Sequence, residues 1–124
     1  MITFLYILWL VAAKSVSDAW QDQGRKKDGK LLESIYTVSW FALPYIAHAN
    51  NWLYLLIPVS YWILRMGIFD MIYNKTVGNP LDYQSHTTYI WDWCINKIKK
   101  YPWLYAAFIV VCILGSFTIL NFLV

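Results

Sequence analysis

The sequence predicts an all-α helical integral membrane protein with four transmembrane helices and one amphipathic helix at the cytoplasmic interface. Hydrophobic residues make up 60% of the 124 positions and charged residues 14%, whereas soluble domains average about 45–50% apolar and about 25% charged residues. A water-soluble domain of this length could not bury so much apolar surface. The 8 tryptophans and 10 tyrosines often stand beside charged, glycine or proline residues, as in the aromatic belts of membrane proteins.

The first predicted helix covers about residues 2–20. Its apolar run from Ile2 to Ala13 is shorter than the roughly 20 residues that cross a hydrocarbon core, so the helix must continue past Lys14 and Asp18. A cleaved signal peptide is the alternative interpretation. No positive residue precedes the apolar run, as the n-region of a signal would require, and we therefore expect a transmembrane helix.

The second and third predicted helices, about 31–47 and 51–73, form a hairpin. They are joined by the polar turn from His48 to Asn51, and such a short connection favours antiparallel neighbours. The second helix contains Glu33, a charged residue predicted to lie within the membrane. Ionisable residues at this depth usually face a bundle interior or a polar partner.

The last predicted transmembrane helix, about 103–124, has no charged residue over 22 positions. Before it, residues 87–101 predict an amphipathic helix in the cytoplasmic headgroup layer, capped by Thr87 or Thr88. Its apolar side contains Ile90, Trp91, Cys94, Ile95, Ile98 and Tyr101, and its polar side contains Asp92, Asn96, Lys99 and Lys100.

The basic residues predict the topology. Nine of the ten Lys and Arg residues lie in two polar segments, 14–30 and 74–100, and the tenth is Arg65. Alternation of basic and non-basic connections favours four crossings, with both basic segments in the cytoplasm and both termini outside. Three crossings, the alternative, would place the two basic segments less consistently. We interpret residues 1–124 as one membrane domain.

Polar residues at membrane depth predict a cluster on the cytoplasmic side. The predicted members are Asp18, Asp22, Arg65, Asp70 and Asn74, with Glu33 as a further intramembrane polar residue. Spacing by four aligns Asp18 and Asp22 on one helix face, and does the same for Asp70 and Asn74. Arg65, five residues before Asp70, points elsewhere, and we expect it to pair with Asp18 or Asp22. The cluster is either a site for an ion, a proton or a lipid headgroup, or a charge network that fixes helix packing.

No catalytic, metal or cofactor motif accompanies these residues. His48 and His86 are predicted on opposite sides of the membrane, about 30 Å apart, and the sequence has no H-x-x-H, H-x-x-x-H or E-x-x-H pair to collect ligands on one helix face. No serine or cysteine lies in a nucleophile motif, and the predicted positions of Cys94 and Cys112 do not suggest a disulfide framework. We therefore expect no catalytic residues, no metal and no cofactor, and no nucleic-acid partner despite the net charge of +3.

A spaced pattern resembles a known group of proteins. It comprises the run from Ser17 to Asp22, then Arg65 through Asp70 to Asn74, and then Thr87, Thr88 and Asp92. This arrangement, across residues 17–93, is similar to small polytopic membrane proteins of phages and prophages of Bacteroidetes-type bacteria. The resemblance implies no particular activity, but it implies a viral origin, in the host membrane or in a lipid-containing virion.

Three functions are compatible with the sequence. The first, which the missing catalytic pattern favours, is a non-enzymatic component of a bacterial inner membrane or virion membrane. Its partners would be the lipid bilayer, further copies of itself or other membrane proteins. The second is a holin-like pore, in which Glu33 or Asp70 would line water. The third is a small membrane enzyme or a lipid-headgroup or ion-binding protein that uses the polar cluster.

Overall fold

The structure consists of helices throughout its described parts. The computed structural model describes the backbone of residues 1–47, 55–81 and 90–123, and the side chains of 1–44, 55–81 and 93–121. Its elements are α1 (Ile2–Asp22), α2 (Lys26–Ala47), α3 (Leu56–Val77), α4 (Ile90–Lys99), α5 (Pro102–Thr118) and a π-helical segment (Ile119–Leu123). The predicted all-α class is confirmed. The predicted turn at 48–51 and the caps Thr87 and Thr88 lie outside the described residues.

Three helices are long and apolar enough to cross a membrane. They are α1, α3 and the helix from Pro102 to Asn121. Helix α2 has the same length as α3, 22 residues, but its first two turns are rich in charge, from Lys26 to Glu33. The described structure therefore has three candidate transmembrane helices, whereas the sequence predicts four.

The start of α2 and the end of α3 differ from the predicted boundaries for identifiable reasons. Helix α2 begins at Lys26 rather than Leu31, because the charged residues before the apolar run are also helical, with Asp28 favourably placed in the first turn. Helix α3 continues past Tyr73 to Val77 and ends at Gly78, whose φ of 85° is the left-handed cap that glycine adopts without strain. Its predicted start, 51–54, lies outside the described residues.

Helix α1 packs between α2 and α3, and α3 also packs against α5. The α1 and α2 axes are antiparallel, since Tyr6 bonds to Ser39 whereas Ser17 bonds to Gly29. Helices α1 and α3 are parallel, because Ser15 bonds to Phe69 and Gln23 bonds to Thr76. Helices α3 and α5 are again antiparallel. The helices α1, α2, α3 and α5 therefore alternate in direction.

This alternation brings the charged connections to one end of the bundle, which we call the basic end. It contains the α1–α2 connection, the end of α3 at Val77 and the start of α5 at Pro102. At the opposite end, the amino terminus of Met1 donates to Asn121 Oδ1, and the rings of Phe4 and Phe117 meet edge to face.

The distribution of polarity differs from that in a soluble bundle, because serines join the apolar residues of the core and many large apolar side chains are exposed. Four serines are completely buried, Ser15, Ser17, Ser60 and Ser116, while large apolar side chains lie on the outside. Phe41 is 77% exposed, Val111 67% and Leu31 64%. Small residues and hydroxyl groups at helix contacts with an apolar exterior are typical of transmembrane bundles, so the packing, like the three candidate spans, supports a membrane protein.

Candidate functional site

The first polar contact lies where α1 meets α2 and is centred on Lys14. Its Nζ lies 3.0 Å from Asp18 Oδ1 and 3.0 Å from Glu33 Oε1. Gln21 Nε2 donates to the other Glu33 oxygen at 3.4 Å and to Ser17 Oγ at 3.1 Å. One ammonium therefore serves two carboxylates. This contact joins two predicted site residues, Asp18 and Glu33, through Lys14, which lies four residues before Asp18 on the same helix.

A close backbone approach supports this contact from the basic end. Ser17 Oγ donates to the Gly29 carbonyl at 2.7 Å, and a Cβ on Gly29 would come within 2.4 Å of Gln21 Cγ and 2.9 Å of the Ser17 carbonyl oxygen. Only glycine therefore permits α1 and α2 to lie this close. The sequence does not single out Gly29, because Gly29 lies in a charged run whose composition predicts a connection.

The second contact ties α1 to α3 through Asp22. The Tyr73 hydroxyl donates to Asp22 Oδ2, and the Tyr73 ring stacks on Phe69 with centroids 6.4 Å apart. Because α1 and α3 are parallel, both residues lie near the basic end. The predicted role of Asp22 as an interhelical residue fits this geometry, although its partner is a tyrosine.

Arg65 lies away from both carboxylates of α1, and the predicted ion pair with Asp18 or Asp22 is wrong. Its guanidinium donates to the Tyr61 hydroxyl at 3.1 Å, and its Cζ lies 5.3 Å from the Trp62 ring centroid and 4.4 Å from that of Phe69. The cause is helix periodicity, since residues three and four apart share a face. The nearest aromatic residues of α3 itself therefore surround the charge.

The contacts with these neighbours are strong enough to offset the cost of placing the Arg65 charge in a membrane. An arginine at the centre of a transmembrane helix costs about 2.5–3.5 kcal/mol on insertion scales. Each desolvated cation–π contact contributes about 0.5–2 kcal/mol, and a hydrogen bond to a charged group contributes about 1.5–3 kcal/mol. The sum is of the same size as the cost. A ligand is therefore not required to explain this charge.

Arg65 also belongs to an aromatic group that joins α3 to α2. The hydroxyls of Tyr61 and Tyr36 lie 2.9 Å apart, and Trp40 meets the Tyr61 ring edge to face with centroids 5.0 Å apart. Tyr61 is only 3% exposed. This contact was not predicted, although the spacing of Tyr61 and Arg65 by four residues is visible in the sequence.

The third contact ties α3 to α4. Lys99 Nζ lies 2.8 Å from Asp70 Oδ2, and the lysine side chain has no exposed surface. On the same face of α3, Asn74 Nδ2 donates to the Leu81 carbonyl at 3.2 Å. The sequence pattern assigns Lys99 to the polar side of α4. In the structure Lys99 turns into the protein and reaches a carboxylate of α3.

The predicted cluster is thus three separate contacts. Asp18 and Glu33 meet at Lys14, Asp22 meets Tyr73, and Asp70 meets Lys99, while Arg65 and Asn74 have other partners. Among the described residues, no three His, Cys, Asp or Glu side chains are close enough to hold a metal ion. His48 and His86 lie outside those residues. Chemically, the arrangement cross-links helices by ion pairs and hydrogen bonds.

Comparisons with protein-family models, with curated proteins and with solved structures give no match to this chain. The resemblance to phage membrane proteins therefore stays a prediction from the sequence pattern.

Proposed function

We propose that the chain is a non-enzymatic membrane protein that crosses the bilayer four times. Its polar side chains hold the helices together through ion pairs and hydrogen bonds. Both basic connections lie in the cytoplasm, following the positive-inside rule. The observation that carries this proposal is the engagement of each predicted charged residue by a neighbouring side chain, within a bundle whose exterior is apolar.

The case for α2 as the fourth crossing rests on its contacts with α1. The two helices touch from Ser17–Gly29 near the basic end to Tyr6–Ser39 farther along. If α1 crosses the bilayer, α2 lies beside it over most of the same depth. From residue 31 to residue 47, α2 has one charged residue, Glu33, and that carboxylate bonds to Lys14. The charged residues that lower the mean hydropathy of α2 therefore either precede the membrane crossing or, in the case of Glu33, bond to a residue of α1.

The side-chain arrangement favours a structural role, the connection of neighbouring helices, over catalysis. A general acid, base or nucleophile must be available to a substrate. Here the carboxylates of Glu33, Asp22 and Asp70 each accept a bond from a group on another helix. Their partners come from different pairs of helices, so together they fix the relative positions of α1, α2, α3 and α4.

The same arrangement favours a packed bundle over a holin-like pore. Inside one chain, the half opposite the basic end is filled by buried apolar side chains such as Ile7, Leu10, Ile57 and Leu64. Between copies, a water-filled pore would need a polar outer face. The outer face of α5 presents apolar residues such as Val111 instead, and on α2 the exposed hydroxyls of Ser34 and Thr37 donate to carbonyls of their own helix beside the exposed Phe41.

The experiment is a leak assay on the purified full chain. The protein is reconstituted in liposomes with a potassium diffusion potential set by valinomycin, and a voltage-sensitive dye records its decay. We expect the decay rate of protein-free liposomes across a range of protein-to-lipid ratios. Liposomes containing gramicidin are the positive control. A decay that accelerates with the protein-to-lipid ratio would contradict the proposal and favour the pore.

A further inference from the structure

A cleft with charged and apolar walls lies on the outer side of the α1–α2 hairpin. It has a volume of about 210 Å³ and is lined by Trp20, Arg25, Asp28, Leu31, Leu32 and Ile35. None of these residues belongs to the interhelical contacts described above. The charged members lie at the basic end, and the apolar members lead from it towards the middle of the bundle.

The charged mouth of the cleft is held in place by local contacts. Arg25 Nε and Nη2 donate to Asp28 Oδ2 at 3.2 and 3.0 Å, and the guanidinium lies 4.4 Å from the centre of the Trp20 ring. The connection before Arg25 turns at Gly24, whose φ of 87° suits glycine. Arg25 and Asp28 are about half exposed, so both can be reached from outside.

These bonds leave one donor group of Arg25 and one acceptor oxygen of Asp28 available to a ligand. Arg25 keeps its Nη1 group, and Asp28 keeps its Oδ1 oxygen, without a partner among the described side chains. Helix α2 begins at Lys26, so the positive end of its dipole lies at the same mouth and favours a phosphate. A headgroup with one negative and one positive group complements this pair.

The apolar wall continues beyond the cleft as a stripe on α2. Leu31, Ile35 and Val38 follow i, i+4, i+7 spacing, and all three are exposed. An acyl chain lying against this stripe would place its headgroup at the basic end, at the level of Trp20. Tryptophan is enriched at that boundary of a bilayer.

We propose that this cleft binds a phospholipid whose headgroup carries a phosphate and a primary ammonium. The phosphate bonds to Arg25 and the ammonium to Asp28, while an acyl chain covers Leu31 and Ile35. This inference goes beyond the proposed function but rests on the part of it that places α1 and α2 in the membrane. Failure of the lipid assay with an intact topology would overturn only the lipid site.

The test is native mass spectrometry of the full chain in detergent, titrated with three phospholipids of identical acyl chains. We expect the first equivalent of phosphatidylethanolamine to bind about fivefold more tightly than phosphatidylcholine or phosphatidylglycerol, the size that a partly exposed ion pair can supply. Arg25→Gln should weaken binding of all three. Asp28→Asn should abolish the preference for phosphatidylethanolamine over phosphatidylcholine, and it should weaken phosphatidylcholine less, because its quaternary ammonium has the charge but no N–H to donate.

Lys27→Gln is the matched control, because Lys27 is an exposed cation of the same helix turn that does not line the cleft. It should leave all three affinities unchanged. Equal affinities of the wild type for the three lipids, or equal effects of the Arg25 and Lys27 variants, would overturn the proposal. Glycerophosphoethanolamine, the same headgroup without acyl chains, should not compete at equal concentration. Competition by it would show that the site takes a soluble phosphate compound.

Discussion

The ammonium of Lys99 lies 2.8 Å from the carboxylate of Asp70 and is enclosed by the protein, so an ion pair ties the short helix α4 to α3, a candidate transmembrane helix. Removal of one partner from a buried pair is costly because the other charge stays behind, whereas replacement of both by apolar residues is often tolerated.

We therefore predict that Lys99→Met lowers the free energy of unfolding by about 2–4 kcal/mol, below the upper range for buried pairs because Asp70 is 20% exposed. The double variant Lys99→Met/Asp70→Leu should lose less than Lys99→Met alone. Denaturant titration of the purified protein in mild detergent measures both. Lys100→Met, at an exposed neighbour, should change stability by less than about 0.5 kcal/mol. Equal losses for the Lys99 and Lys100 variants would contradict a role for the pair.

Gly67 allows α3 to approach α5. A Cβ at this position would lie 2.6 Å from Cys112 Cβ, whereas a Cβ on Gly115 would meet only Ile63 Cγ2 at 3.9 Å. We predict that Gly67→Ala destabilises the bundle by about 1–3 kcal/mol, as overpacking does.

Gly115→Ala is the matched control and should be neutral or stabilising by up to about 1 kcal/mol, since alanine favours a helix. Thermal unfolding in detergent gives the comparison. Cys112→Gly in the Gly67→Ala background removes the colliding Cβ and should recover part of the loss. Indifference of the protein to Gly67→Ala would show that α3 and α5 are not in this contact.

Arg65 should couple energetically to Tyr61 and not to Asp18. In a double-mutant cycle, Arg65→Met with Tyr61→Phe should give an interaction energy of about 0.5 kcal/mol or more, whereas Arg65→Met with Asp18→Asn should be additive within about 0.5 kcal/mol. The free energies of unfolding of the six proteins, wild type, three single and two double variants, supply the data. A larger interaction energy with Asp18 than with Tyr61 would contradict the structure and support an ion pair between Arg65 and Asp18.

The helices were predictable from the sequence because length and apolarity report them directly. Thus the uncharged run after Pro102 corresponds to α5, which begins at Pro102. The charged ends of helices were harder to predict from the sequence. Apolar runs alone start α2 at Leu31 and leave its charged first turns, with Gly29, in a connection.

The partners of the charged residues were the least predictable part. Lys99 and Asp70 are 29 positions apart, and their meeting depends on how α4 folds back onto α3, which no local pattern encodes. For Arg65, the choice of the nearest opposite charge neglected the aromatic rings on its own helix face. A cation at membrane depth accepts ring faces and hydroxyl groups as well as carboxylates.

The central claim, that α2 crosses the membrane beside α1, is tested most directly by labelling of single cysteines from each side. The background is Cys94→Ser/Cys112→Ala, and single cysteines replace Gln23, Asn50 or Asn79. Gln23 is an exposed residue at the end of α1, whereas the φ of 87° at the next residue, Gly24, disfavours a side chain. A membrane-impermeant maleimide is applied to intact and to inverted vesicles, and labelling after solubilisation controls for reactivity. We predict that Gln23→Cys and Asn79→Cys react only from the cytoplasmic side and Asn50→Cys only from outside. Reaction of Gln23→Cys and Asn50→Cys from the same side would contradict the four-crossing account.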